Sequence, residues 1–230
     1  MIKENLKDVE DRIQAACDRS NRNRSDITLI AVSKTKPIAM IEEVICEGII
    51  DFGENKVQEL CEKSETITQA LNWHMIGHLQ RNKVKYLVDK VCLIHSVDSL
   101  RLAKQISEEA IKKNTTVNIL IEVNIAKEDT KFGVTEEETL PLIMEIAKLP
   151  NIRIKGLMTI APFVDNPEEN RVHFANLRNL LIDIKSKNID NIDMDILSMG
   201  MTGDYEIAIE EGATMVRVGT GIFGQRNYNI

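Results

Sequence analysis

Thr28-Leu29-Ile30-Ala31-Val32-Ser33-Lys34-Thr35-Lys36-Pro37 decides the reading of this chain. An apolar run with β-branched residues at 28, 30 and 32 reads as a buried strand, and Pro37 closes the segment. Its last residues emerge at a strand end, where barrels and open α/β sheets carry their chemistry. Lys34 stands at that mouth. An amine held in low-dielectric surroundings is partly desolvated and offers a lone pair to a carbonyl, so Schiff-base chemistry is one reading. A lysine snorkelling from a strand terminus is the other, and this segment alone does not separate them.

Working outward, an amphipathic helix is predicted over roughly residues 3–19, followed by apolar runs alternating with helical patterns. The predicted strands are Thr28–Ser33, Ile50–Phe52, Trp73–Ile76, Val91–Val97, Val117–Asn124, Ile152–Thr159, Asp195–Met199 and Met215–Val218. Between them lie apolar residues at helical spacing, such as Ile38, Ile41, Val44 and Ile45, or Leu177, Leu180, Leu181 and Ile184, so each crossover reads as one helix. Asp98 or Ser99, Thr135, and Thr202 or Asp204 supply helix caps. Eight strands in strict alternation close most naturally into a (β/α)8 TIM-type barrel. An open doubly wound sheet would be expected to show a glycine-rich loop after its first strand, where this chain has Ser33-Lys34-Thr35.

The 230 residues, 43% hydrophobic and 28% charged, suffice for one domain over 1–230, and no linker or low-complexity tract marks a second. The net charge of −7, with basic residues interspersed among acidic ones, argues against nucleic acid as a partner. Cys17, Cys46, Cys61 and Cys92 form no C-x-x-C pair and lie in apolar segments, which suits buried thiols in a reducing compartment and no metal site. The start of the chain has no apolar signal core and no stretch suits a membrane span, so a cytoplasmic protein is expected.

The loops after the last two strands, Ser198-Met199-Gly200-Met201-Thr202-Gly203-Asp204 and Gly219-Thr220-Gly221-Ile222-Phe223-Gly224, occupy the positions where barrels bind phosphate. Glycines let backbone N–H groups approach an anion, and the Ser198 and Thr220 hydroxyls add donors. Arg217 alternates with Val216 and Val218 and so points into the barrel, where it needs a buried partner: a core salt bridge, or a ligand nitrogen or anion.

With Ala31-Val32-Ser33-Lys34-Thr35-Lys36-Pro37, Phe52-Gly53-Glu54-Asn55, Trp73-His74-Met75-Ile76-Gly77-His78-Leu79-Gln80-Arg81-Asn82-Lys83, Gly156-Leu157-Met158, Ser198-Met199-Gly200-Met201 and Arg217-Val218-Gly219-Thr220-Gly221-Ile222-Phe223-Gly224, the chain closely resembles the pyridoxal phosphate homeostasis proteins, the YggS-like family related to the N-terminal barrel of alanine racemase. The resemblance implies a pyridoxal 5'-phosphate site with Lys34 as the aldimine lysine, phosphate held by Ser198, Gly219 and Thr220, Gly200 among the cofactor-binding residues, and Arg217 at the pyridine nitrogen. It places Asn55 and Met158 along the pocket; Asn55 also suits a helix N-cap. His74 and His78 fall on and after a strand, so their four-residue spacing makes no helical metal pair; His74 reads as an interior hydrogen-bonding residue and His78 as a rim residue. Lys131-Phe132-Gly133 matches a family loop without an assigned role, and Lys131 reads as solvated.

An arginine at the ring nitrogen limits carbanion chemistry, and racemisation needs an acid/base group on each face where Lys34 supplies one. Tyr205 and Tyr228 lie near the rim without a motif for proton transfer, and the chain ends before a further catalytic domain. The implied function is a cofactor-binding protein in intracellular pyridoxal phosphate homeostasis and delivery, with apo-enzymes as recipients, acting as a monomer without substantial turnover. A small racemase and a Schiff-base aldolase on a sugar phosphate are the alternatives; Arg217 argues against the aldolase, whose substrate has no ring nitrogen.

Overall fold

The computed structural model describes residues 1–128 and 131–224, so Tyr228 lies outside the described residues. Eight parallel strands, β1 (Thr28–Val32), β2 (Asp51–Glu54), β3 (Asn72–Met75), β4 (Leu93–Val97), β5 (Val117–Glu122), β6 (Ile152–Met158), β7 (Ile192–Met201) and β8 (Met215–Val218), form a closed barrel in sequence order. β1 pairs with both β2 and β8, which closes the ring and decides for the barrel over the open sheet. The helices are α1 (Ile2–Arg19), α2 (Ile38–Cys46), α3 (Val57–Thr66), α4 (Leu100–Lys112), α5 (Glu136–Ile146), α6 (Arg171–Ser186), α7 (Tyr205–Glu210) and α8 (Thr220–Phe223).

Apolar periodicity explains most of these boundaries, and charge explains where they depart from expectation. β7 begins three residues before the predicted start because Asp193 and Asp195 lie on its outer edge, where they pair with Lys155 (2.8 Å) and Lys185 (2.6 Å) instead of breaking the strand. The crossover after β3 is a 3-10 segment, Arg81–Tyr86, rather than an α-helix. Ser99 caps α4 by accepting from the Leu102 N–H, and Thr135 forms a capping box with Glu138 at α5. Of the four free cysteines only Cys17 is fully buried; Cys46 is exposed, because its helix turns that face to solvent. No helix among the described residues is long and apolar enough to cross a membrane.

The main core lies between the barrel and its helices, while Leu93, Leu120 and Met158 form a small apolar cluster of their own, packed by Cys92, Ile196 and Met215. α1 is the extra N-terminal helix. It buries Ile2, Leu6, Val9, Ile13, Ala16 and Cys17 against α7 and α8, and Asn5 Nδ2 donates to the Ile222 carbonyl at 2.9 Å. The loop after β8 is therefore braced from outside the barrel.

Candidate functional site

Lys34 sits half-buried in a tight turn directly after β1. The residues on either side of it are pinned. The Ser33 N–H donates to the Gly53 carbonyl (3.1 Å) and the Ser33 hydroxyl to Glu54 Oε1 (2.6 Å). Thr35 holds a left-handed backbone, φ 62°, uncommon for a β-branched residue, and its N–H donates to Glu59 Oε1 at 2.6 Å. Lys63 on α3 ties these groups together: its ammonium donates to the Ser33 carbonyl, Glu54 Oε1 and Glu59 Oε1, each at 2.7 Å. Burial raises the Glu54 carboxyl above its usual range, while Lys63 and Ser33 pull it down. Lys63 escaped the sequence reading, although Val57, Leu60 and Lys63 form one buried stripe, and a lysine on an apolar stripe signals a buried partner.

Arg217 points into the barrel as expected and is 4% exposed. Its guanidinium donates to Ser198 Oγ (2.5 Å) and to the Thr159 carbonyl (2.8 Å), and among the described residues the carboxylates of Asp204 and Glu122 act on it through space without a hydrogen bond. Burial pulls its pKa down to about 10, against Asp204 and Glu122, which leaves it cationic at neutral pH. Ser198 is fully buried beneath it, its hydroxyl engaged by Arg217 and by His95 Nδ1 at 2.9 Å. The structure thus places Ser198 in the lumen, not on the phosphate loop, because β7 continues through Met201 and carries Ser198 inside the strand.

The hydroxyl at the glycine loop belongs to Thr202. Its Oγ1 accepts from the Gly219 and Gly221 N–H groups at 3.3 Å each, beside the exposed Thr220. Gly200 serves packing: at φ +91° a Cβ there would come within 2.6 Å of Ala208 Cβ, so only glycine lets α7 seat against β7. Asp204 fastens the same loop, its carboxylate accepting from the Met201 N–H (2.7 Å) and Asn170 Nδ2 (2.8 Å). The Thr202 role was hidden by its nearness to a helix start, where a threonine reads as a cap.

Asn55 is half-buried at the end of β2 and is not the N-cap of α3, which is Lys56 without a side-chain bond. It packs so closely on Gly77 that a Cβ there would lie 2.5 Å from the Asn55 carbonyl oxygen. Met158 is fully buried, in register with Glu122 and Ser198. His78 is exposed and stacks on Phe132 with centroids 4.0 Å apart. Lys131 departs from the solvated reading: it pairs with Glu128 and donates to the Ala161 carbonyl at 3.0 Å, since the loop after β6 folds back over it. Glu122, unmarked by any motif, is 5% exposed, and its Oε2 has no partner among the described residues. Burial first, then Asp98, raises its pKa to about 7, with Arg217 pulling it down. Lys34, Asn55, Thr202, Gly219 and Thr220 therefore follow strand ends of one barrel rim, with Arg217, Met158 and Glu122 just below.

Residues 5–227 match the family described as the alanine racemase N-terminal domain. A pyridoxal phosphate homeostasis protein of Aquifex aeolicus is 46% identical over 226 residues, covering 98% of each chain, and one of Pseudomonas aeruginosa is 40% identical, covering 99% of this chain and 96% of its own. Among solved structures, PipY of Synechococcus elongatus with pyridoxal phosphate bound matches with a TM-score of 0.84 at 33% identity, covering 97% of this chain and 100% of that one. Alanine racemase of Clostridium difficile shares the fold at a TM-score of 0.77 and 18% identity, this chain spanning 57% of its length. The chain belongs to the alanine racemase N-terminal domain family, among the pyridoxal phosphate homeostasis proteins.

Proposed function

We propose that this chain binds pyridoxal 5'-phosphate covalently at Lys34 and takes part in intracellular homeostasis and delivery of that cofactor. The observation that carries the reading is Arg217: a buried cation held by a hydroxyl and a carbonyl, at the same rim as a pinned lysine and a glycine–threonine cradle. The residues present fit the group. An acidic partner for Arg217 would have satisfied its charge within the protein; neutral partners leave that charge for a ligand.

When bound, the cofactor supplies an aldehyde for the lysine and a pyridine ring able to accept electrons. Lys34 provides the amine, held at the mouth because Ser33 and Thr35 are fixed on both sides. The loop after β8 with the Thr202 and Thr220 hydroxyls would hold the phosphate, Thr202 Oγ1 fixing that loop through the Gly219 and Gly221 N–H groups, and Asn55 and Met158 would line the pocket. Ser198 and Gly200 act from beneath, the first on Arg217 and the second through the seating of α7. Arg217 carries only donors, so it would offer N–H to the pyridine nitrogen and no acceptor for a ring proton, an arrangement that would restrain carbanion chemistry.

We further propose that the protein has no substantial amino-acid turnover, that it forms one domain over 1–230, and that it works as a monomer with apo-enzymes as recipients. Tyr205 supports the first point: it is 1% exposed and burial pushes its hydroxyl up to about 12, so it is no available acid or base at the rim. The test is incubation of the cofactor-loaded protein with both enantiomers of alanine and other common amino acids in deuterated water. Release of pyridoxal phosphate to an apo-enzyme without sustained chirality loss or α-proton exchange is expected. Multiple turnovers abolished by Lys34→Ala would overturn the homeostasis reading in favour of a small racemase.

A further inference from the structure

A single file of hydrogen bonds runs through the barrel lumen from Arg217 toward the opposite end of the sheet. Arg217 contacts Ser198 Oγ (2.5 Å), Ser198 Oγ contacts His95 Nδ1 (2.9 Å), His95 Nε2 contacts His74 Nδ1 (2.9 Å), and His74 Nε2 contacts Asp51 Oδ1 (3.0 Å). Asp51 opens β2, far along the strand from the mouth, and its side chain is 21% exposed. Asn72 Nδ2 also donates to Asp51 Oδ1 at 3.1 Å.

The ends dictate the direction of the file. A guanidinium only donates and a carboxylate only accepts. Ser198 Oγ accepts from Arg217, so its own hydrogen goes to His95 Nδ1, its one other bonded partner among the described residues. His95 then carries its proton on Nε2 and donates it to His74 Nδ1. His74 carries its proton on Nε2 and donates it to Asp51; Cys92 Sγ, 3.4 Å from the same nitrogen, donates its own hydrogen to the Trp73 carbonyl (3.3 Å). Every link points from the cation to the anion, and formal charge resides at the ends alone. His95 is fully buried and its pKa lies well below the usual value, by burial first and then by His74 and Arg217, which agrees with a neutral ring. A cationic His74 would reverse the middle link, force the His95 proton onto Nδ1, and leave Ser198 with two donors and no acceptor for its own hydrogen.

We propose that Asp51, His74 and His95 are positioning residues that fix the Arg217 guanidinium, through Ser198, for the ligand at the mouth. Fixing both inner N–H groups, one on Ser198 and one on the Thr159 carbonyl, aims the remaining donors outward. The aligned dipoles favour the cation without placing a carboxylate where it would compete with a ligand. The inference rests on the reading of Arg217 as a cofactor contact only for its effect on binding; the direction of the file stands apart from it.

The test has two arms. Nitrogen-resolved imidazole NMR of the ligand-free protein should show His74 and His95 both as Nε2–H tautomers with His95 neutral; an Nδ1–H tautomer or an imidazolium signature at His95 overturns the one-way file. In the second arm, His95→Leu cuts the file, whereas His95→Gln preserves it, since Gln accepts through Oε1 and donates through Nε2. Pyridoxal phosphate affinity should fall roughly 2- to 30-fold in His95→Leu and recover in His95→Gln. Equal affinity in parent, Leu and Gln variants would refute a positioning role. Should His95→Leu fail to fold, Asp51→Asn, which keeps the shape and removes the terminal charge, carries the same comparison: unchanged affinity refutes the role and weaker affinity supports it. A parent protein with no pyridoxal phosphate affinity would defeat the cofactor reading, and the tautomer measurement would still decide the file.

Discussion

On the β1–β2 side of the molecule Lys63 is buried against two carboxylates, Glu54 and Glu59, each 2.7 Å from its ammonium; on the β7–β8 side Arg217 is buried against a hydroxyl and a carbonyl. The first cation is neutralised where it stands, and its outward effect is mechanical: it holds Ser33 and Thr35 so that Lys34 is presented at the rim. The second is left electrostatically unspent. The contrast separates scaffold from site without reference to any motif. A buried charge with an internal counter-ion is structural, and one held by neutral groups keeps its field for something that arrives.

Lys63→Met breaks the comparison on its structural side and should have the largest effect. It strands the buried Glu54 carboxyl, and removing one partner of a buried pair costs about 3–5 kcal/mol. Denaturant unfolding should show that loss, partly reversed in the double variant Lys63→Met/Glu54→Gln. A Lys63→Met protein as stable as the parent would mean that the cluster does not anchor the turn.

Glu122 tests whether Arg217 truly lacks a counter-ion. Its folded pKa of about 7 lies above the usual 4.5, so both states are protonated below 4.5 and stability falls as pH rises from there toward 7. The loss adds up to at most roughly 3 kcal/mol, and Glu122→Gln should flatten it. Stability that instead rises with pH across this window, in a Glu122-dependent way, would show an ionised partner for Arg217 and erase the contrast.

Arg217→Met sharpens the other side. It should weaken pyridoxal phosphate by about 1.5–3 kcal/mol, the range of a charge-assisted hydrogen bond, in a calorimetric titration. Bound cofactor should correspondingly stabilise the parent more than the variant. The smallest effect is expected at the cradle: Thr202→Ala loosens the loop by freeing the Gly219 and Gly221 N–H groups and should cost about 0.5–1.5 kcal/mol of affinity, the range of a neutral hydrogen bond. Inorganic phosphate should compete less well with it than with the parent.

The barrel was legible because its signal is periodic. Arg217 between Val216 and Val218 gave its inward direction from alternation alone, and Lys34 followed from the end of an apolar run. What stayed hidden depends on contacts between distant strands. Ser198 reads as a phosphate-loop residue because the predicted strand stops at Met199, whereas β7 runs on to Met201 and leaves Thr202 at the glycines. His95 looked like part of an apolar strand; only register against His74 and Ser198 reveals its task. Glu122 carried no sequence mark at all, since an unpartnered carboxylate oxygen is a property of the folded interior.

The central claim is that the cofactor is captured at Lys34, and borohydride reduction of the pyridoxal-phosphate-loaded protein followed by peptide mapping tests it most directly. The account predicts one stable adduct on Lys34, absent from Lys34→Ala, with Lys36, Lys63 and Lys131 unmodified. An adduct on another lysine with Lys34 left unmodified would contradict it.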